Sequence, residues 1–273
     1  MTQTLLYKGD HINRANVVWN IAGSFVYAFA SMVLSFLVIR LAGEEQGGIF
    51  SFGFSTLGQQ LFLVAYFGIR PFHITDGAGE YTFGDYREHR NITCLIALAA
   101  GAVFMMIRHG AYLRGVGDYN GEKCTILLLL VVYKVIDGYA DVYESEFQRQ
   151  GSLYLTGKSN FFRTILSVSV FTVILAAFEN LLLACLAAVA AQIGGVILFN
   201  MDVIHALSDV KWEVKKGQCR KLFLSTGFLF VSVFLDFYIF SSAKYAIDAR
   251  MNNAASGYFN LIFMPTSVIY MVA

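Results

Sequence analysis

The chain has 273 residues, of which 57% are hydrophobic and 14% charged, with a formal net charge of +1. Soluble globular chains carry about 45–50% apolar and about 25% charged residues, so this composition leaves too few polar side chains to cover a soluble surface. It indicates an integral membrane protein. The near-neutral charge gives no reason to expect a nucleic-acid partner, and the four cysteines lack the spacing of a metal site or a disulfide framework.

Eight long apolar segments follow one another along the chain. A transmembrane helix needs about 20 mostly apolar residues to cross roughly 30 Å of hydrocarbon. On that basis we predict spans at 16–40, 47–69, 91–107, 124–146, 160–178, 181–205, 221–243 and 255–273. The fold class that follows is all-α, a polytopic membrane helix bundle with about eight transmembrane helices.

Lysine and arginine residues are distributed unequally between the two ends of these spans. Thirteen lie on the side that carries the N-terminus and six on the opposite side, with Lys134 inside a span. Because positive residues are retained in the cytoplasm, the N-terminus is predicted to be cytoplasmic.

Polar side chains form one narrow stripe on each of the first two spans. The first stripe consists of Asn20, Ser24, Tyr27, Ser31 and Ser35, and the second of Ser51, Ser55, Gln59 and Tyr66. Hydrogen bonds between helices explain such stripes in many membrane bundles. Stripes on several helices of one chain favour a hydrated cavity instead, because a closed interior must satisfy every buried polar atom whereas a hydrated cavity need not. Asn20 and Gln59 are therefore candidate cavity residues.

Charged residues occur inside the fourth span. Lys134, Asp137, Asp141 and Glu144 are spaced at i, i+3, i+7 and i+10, which places them on one helical face. Charges at membrane depth cost about 2.5–3.5 kcal/mol each on insertion scales, so they usually line water or contact a ligand. Lys134 and Asp137 can pair across one turn, whereas Asp141 and Glu144 could instead lie at the interface.

Two further charges belong to other spans. Arg163 begins the fifth span, where it either faces the cavity or reaches the interface. Asp236 lies deep in the seventh span, where a carboxylate needs protonation or a cation, and Lys134 and Arg163 are its candidate partners. The predicted substrate or ion cavity comprises Asn20, Gln59, Lys134, Asp137, Asp141, Arg163 and Asp236, with no catalytic residue and no metal ligand.

A short pattern occurs twice in the chain. Residues 43–51 and 252–260 each combine a small-residue turn with Gly, an apolar residue and Phe, at an offset of 209 residues. If this is a repeat, residues 1–207 form a six-helix lobe, 208–220 a cytoplasmic linker and 221–273 the first two helices of a second lobe. We then expect the sequence to be a fragment, or to require a complementary transporter half as partner. A chance match is the alternative.

Several runs resemble a known transporter family. They are the lead into Trp19-Asn20, the run from Arg40 to Ser51, Gly68-Ile69-Arg70 and Gly257-Tyr258-Phe259. Together they resemble polysaccharide-biosynthesis flippases of the multidrug/oligosaccharidyl-lipid/polysaccharide exporter superfamily. The resemblance implies two six-helix lobes around a cavity in the plasma membrane, which opens alternately to each side and carries a lipid-linked oligosaccharide across. It assigns no ligand role to any single residue.

We predict that the protein is a transporter, not an enzyme, and that it has no cofactor. The charged residues suggest how it would bind its substrate. Lys134 and Arg163 would bind the lipid pyrophosphate, and Asp137, Asp141 and Asp236 a coupling proton or sodium ion. One alternative is a multidrug antiporter for organic cations, which the 25 Phe and 15 Tyr would suit. Another is a membrane-embedded glycan-polymerising enzyme, although the longest predicted loops are short for an extramembrane active site.

Overall fold

The computed structural model of the protein describes residues 12–207 and 209–272, with side chains as far as Phe263. Residues 1–11 of the predicted first lobe, residue 208 of the predicted linker and residue 273 of the eighth predicted span lie outside the described residues. The structure is 85% helical, and no strand occurs in the part of the chain that it describes. The predicted all-α class is confirmed.

The helices differ widely in length. In chain order they are α1 (Ile12–Phe52), α2 (Gly58–Tyr66), α3 (Arg70–Thr75), α4 (Phe83–Tyr112), α5 (Gly121–Arg149), α6 (Leu153–Phe178), α7 (Leu181–Val196), α8 (Asp202–Ile204), α9 (Gln218–Arg250) and α10 (Asn253–Val272). Two π-helical turns, Gly53–Leu57 and Ile197–Met201, join α1 to α2 and α7 to α8.

Five helical segments of the described chain are long and apolar enough to cross a membrane. They are Ile12–Thr75, Phe83–Tyr112, Leu153–Phe178, Leu181–Ile204 and Gln218–Arg250. These segments support a membrane protein, but they do not confirm the predicted number of about eight spans. The first segment has 64 residues, which would be roughly 95 Å as one straight helix and thus far longer than a single crossing needs.

The chain folds back on itself at Gly43, within this first segment. Gly43 has φ 87° and ψ 171°, which is not a helical conformation. Glycine adopts it without steric strain because it has no Cβ atom. A Cβ atom placed on Gly47 would lie 3.0 Å from the Ile39 Cα, whereas residues eight apart in a straight helix are about 12 Å apart. The turn falls between the first two predicted spans.

The charged helix α5 lies at the centre of the bundle. It packs against α1, α2, α3, α4, α6 and α7. Its residues Leu127 and Val131 belong to one apolar cluster, and Val142 and Phe147 belong to another. The charged residues 134–144 therefore lie where the two clusters meet, surrounded by protein on several sides.

α10 packs against α1 at the two copies of the predicted repeat. A Cβ atom on Gly48 would overlap the carbonyl oxygen of Asn253, and one on Gly257 would lie 3.2 Å from the Gly48 Cα and 3.7 Å from the Glu44 carbonyl oxygen. The offset of 209 residues makes Gly48 equivalent to Gly257, and Glu44 equivalent to Asn253. The contacts Gly48–Asn253 and Gly257–Glu44 are thus equivalent to each other, as in an interface with two-fold symmetry.

Candidate functional site

The charged face of α5 is buried in the bundle. Lys134 and Glu144 are each 3% exposed, and Asp137 and Asp141 are each 6% exposed. Asp141 and Glu144 therefore do not lie at a solvent-exposed interface, which was the alternative for both. Together with three arginines from other helices, they form what we call the buried charge network. Its members are Arg70, Arg90, Lys134, Asp137, Asp141, Glu144 and Arg163.

Arg163 of α6 joins two carboxylates of α5. Its Nη2 atom lies 2.7 Å from the Asp137 Oδ1 and 3.2 Å from the Glu144 Oε1. The Gln192 side chain of α7 donates to the same Asp137 oxygen at 3.4 Å, and the Tyr27 hydroxyl of α1 donates to the Asp137 Oδ2 at 2.7 Å. Arg163 is only 2% exposed. It is a network residue, so the alternative that it reaches the interface is wrong.

Asp141 is shared by two arginines. The Arg90 Nη2 lies 2.8 Å from the Asp141 Oδ2, and the Arg70 Nη1 pairs with the Asp141 Oδ1. Arg70 is also 4.0 Å from the Glu144 Oε2, and Arg90 donates to the Ala65 carbonyl at 2.8 Å. These contacts connect α5 to the segment α2–α3 and to α4.

Arg90 was not predicted as a site residue, because the third span was predicted to begin at residue 91. The helix begins eight residues earlier, at a reciprocal cap. The Asp85 N–H donates to the Thr82 Oγ1 at 3.1 Å, and the Thr82 N–H donates to the Asp85 Oδ2 at 3.0 Å. A Thr followed three residues later by an acidic residue is a sequence signal for a helix start, and it could have placed Arg90 within α4.

Lys134 differs from the other charged members of the network. Among the described residues, no carboxylate lies within 4.0 Å of its Nζ atom. The Nζ donates to the Tyr27 hydroxyl oxygen at 3.2 Å and lies 4.0 Å from the Phe54 ring centroid. The expected direct pair between Lys134 and Asp137 is not formed, because the Tyr27 hydroxyl lies between them.

Both π-helical turns of the described chain contribute to the network. The first carries Phe54, whose ring faces the Lys134 ammonium group. The second carries Asn200, which accepts from the Ser159 hydroxyl at 2.8 Å and lies 3.5 Å from the Glu144 Oε1. Single π-helical turns within α-helices are frequent at functional sites, because they redirect side chains locally. Periodicity alone does not predict them.

The charges of the network do not balance when every member is ionised. Four side chains are cationic and three are carboxylates, and each carboxylate contacts at least one arginine. Among the described residues, Lys134 is thus the cation of the network without an ionic partner. A buried charge without a counter-ion is costly, so the Lys134 side chain is stabilised either by a bound anion or by loss of its proton.

Three predicted site residues lie apart from the network. Asn20 and Gln59 are half-buried, and neither side chain makes a hydrogen bond to another described residue. Gln60, next to Gln59, is buried instead, and its side chain donates to the Phe234 carbonyl at 3.1 Å. Asp236 is exposed and forms no ion pair with a described residue. Its expected pairing with Lys134 or Arg163 is not formed. α9 turns Phe234 towards the bundle, and Asp236 lies about 200° around the helix from it.

A second charged cluster lies near the Gly121 end of α5. The Lys123 Nζ is 3.2 Å from the Asp248 Oδ1, 3.0 Å from the Asp118 Oδ2 and 2.7 Å from the Asn253 Oδ1. The Tyr119 hydroxyl donates to Asp248, and burial, together with that carboxylate, raises the pKa of Tyr119 well above its usual value. An open cleft of about 480 Å³ lies beside this cluster. Residues so distant in sequence give no local signal of their contact.

Comparisons with known proteins identify no relative from which a role of the buried charge network could be transferred. No protein-family model matches the sequence, and no curated protein or solved structure shows significant similarity to it. The resemblance of its short runs to flippases therefore remains a prediction.

Proposed function

We propose that this chain is a transporter of the flippase type, which moves lipid-linked oligosaccharide or polysaccharide precursors across the plasma membrane by alternating access. The observation that carries the proposal is the Lys134 ammonium group, which is buried at the centre of the helix bundle and has no ionic partner in the part of the chain that the structure describes. Buried charges of this kind in membrane helices are usually part of a substrate or ion pathway.

The chemistry of the network favours an anionic group on the substrate. A lipid pyrophosphate can supply the counter-ion that Lys134 lacks, through a charge-assisted hydrogen bond. Arg163 is less suited to this role than expected, since it already contacts Asp137 and Glu144. When every member is ionised, the network carries one surplus positive charge, which disfavours the alternative of an organic-cation antiporter because like charges repel one another.

Entry to the site would occur at the Arg149 end of α5. The side chain of Arg70 is 25% exposed there and contacts both Asp141 and Glu144. It can therefore meet a phosphate oxygen before the substrate reaches Lys134. The positively charged side of the protein is expected to face the cytoplasm, which would place this entrance on the cytoplasmic side.

We also propose the finer architecture of about eight spans and a complementary half. The turn at Gly43 divides the first long segment in two, and α5 and α10 are 29 and 20 residues long, enough to cross hydrocarbon. With α4, α6, α7 and α9 these would make eight spans. The equivalent contacts of Gly48 with Asn253 and of Gly257 with Glu44 support a symmetric second lobe, for which α9 and α10 would be the first helices.

Replacing Lys134 with methionine tests the proposal. We expect the Lys134→Met variant to bind a polyprenyl pyrophosphate about 10–100-fold more weakly, because a hydrogen bond to a charged group contributes about 1.5–3 kcal/mol. Dissociation constants would be measured on the purified chain in lipid nanodiscs, with the uncharged polyprenol as a competitor for tail binding. Lys216→Met, at an exposed linker position, is the matched control. Equal affinities of the two variants would contradict the proposal.

A further inference from the structure

We infer that Lys134 is the proton-coupling residue of this protein, so that a phosphate anion enters the buried charge network together with one proton taken up by the Lys134 amine. This inference rests on the proposed function. It also assigns the coupling ion as a proton, where the sequence left a proton and a sodium ion as alternatives.

The three carboxylates of the network are poorly placed to accept a coupling ion. Asp137 contacts Arg163, and Asp141 contacts both Arg70 and Arg90. Glu144 lies 3.2 Å from the same Arg163. Neutralising Asp141 would leave the buried Arg90 without a carboxylate, and breaking a buried pair in this way costs about 3–5 kcal/mol. Neutralising Asp137 or Glu144 would remove one of the two ion pairs that Arg163 makes. The predicted ion-binding role of Asp137 and Asp141 is therefore less favourable than protonation elsewhere in the network.

Lys134 can gain or lose a proton without breaking any ion pair. The titratable and charged groups that act on it are Tyr27 of α1, which it contacts, and Asp137 of α5, whereas the first π-helical turn and α2 present the uncharged Phe54 and Gly58. Arg163 of α6 and Gln192 of α7 contact Asp137. Tyr27 donates its hydroxyl proton to Asp137, which leaves its oxygen free to accept from Lys134. Both the ammonium and the neutral amine can donate to that oxygen. The surrounding hydrogen bonds are therefore the same in the two protonation states.

Electroneutrality links the proton to the anion. With Lys134 neutral, three guanidinium groups balance three carboxylates, and with Lys134 protonated the network carries one surplus positive charge. One negatively charged phosphate oxygen next to the ammonium group offsets that surplus, and the other phosphate oxygens would be left to Arg70 at the entrance and to solvent. Because coupling between two ligands is reciprocal, an anion that favours the ammonium also binds more tightly when a proton is available. A sodium ion would add the same single charge, but each carboxylate that could bind it already contacts an arginine.

Proton uptake on binding can be measured directly. Calorimetric titration of the full chain with a polyprenyl pyrophosphate, in buffers of different ionisation enthalpy, gives the number of protons taken up for each anion bound. At about pH 9 the pyrophosphate itself is fully ionised. We expect uptake of about one proton by the wild type and by Lys216→Arg, and none by Lys134→Arg, which keeps a permanent charge.

The outcomes separate this inference from the proposed function. Binding by the wild type without proton uptake, or equal uptake by the wild type and Lys134→Arg, would overturn the inference and leave the transporter proposal standing. An absence of binding by the wild type would refute both. If the longer arginine side chain prevents binding, the wild type alone tests the inference. Its dissociation constant should rise about tenfold per pH unit above the pH at which the Lys134 ammonium group loses its proton. A dissociation constant that does not change with pH would overturn the inference.

Discussion

Replacing Asp141 with alanine is expected to lower the free energy of unfolding by about 3–5 kcal/mol. Asp141 is the shared counter-ion of Arg70 and Arg90, and Arg90 is fully buried. Without the carboxylate, the Arg90 guanidinium group would remain in the bundle with the Ala65 carbonyl oxygen and the Tyr66 ring as its contacts. Denaturant unfolding of the purified chain in mild detergent would measure the loss.

Asp209 provides the control for this substitution. It is exposed, so Asp209→Ala should change the free energy of unfolding by less than about 0.5 kcal/mol. The double variant Asp141→Ala with Arg90→Met should recover part of the lost stability, because it removes the unpaired charge as well. A loss from Asp141→Ala no larger than that from Asp209→Ala would show that the ion pairs do not contribute to stability.

The second large effect is expected from Gly48→Ala, at the contact between α1 and α10. The added Cβ atom would overlap the Asn253 carbonyl oxygen, at a separation well below the 3.0 Å under which Cβ contacts are essentially never observed. Because the obstacle is backbone, the two helices must separate, and overpacking of this kind costs about 1–3 kcal/mol or more. The free energy of unfolding should fall accordingly.

Gly227→Ala is the matched control for Gly48→Ala. Gly227 lies within α9, and a Cβ atom there would have no atom within 4 Å. Alanine should therefore stabilise the protein by about 0.5–1 kcal/mol through its higher helix propensity. The two substitutions are thus expected to have opposite signs in the same unfolding measurement. A similar stabilisation by both would contradict the close approach of the predicted repeats.

Much of the fold follows from apolar runs of membrane-spanning length, and the sequence also predicted the buried charged face of α5. The spacing of Lys134, Asp137, Asp141 and Glu144 was sufficient, because α5 is continuous from Gly121 to Arg149. Hydropathy is less informative for this helix, whose charges exclude it from the segments apolar enough to cross a membrane. The helical spacing of the charged residues, and not hydropathy, therefore predicted the buried face of α5.

The partners of these charges could not be predicted from spacing. Arg70 and Arg90 reach Asp141 from 71 and 51 residues away, and only tertiary packing decides which side chain of a polar stripe faces a neighbour. In the first stripe Tyr27 contacts the network, whereas Asn20 remains outside it. Asp236 shows the same effect, since the orientation of α9 places it on the exposed face.

The central claim is that an anionic lipid binds beside Lys134 inside the bundle, and photolabelling tests it most directly. A polyprenyl pyrophosphate with a photoreactive group next to the phosphate would be added to membranes that contain the full chain, and labelled residues identified by mass spectrometry. We expect labels at Tyr27, Phe54 and Lys134, and their loss in Lys134→Met. Labels confined to outward residues such as Phe228, which is 88% exposed, would contradict the claim.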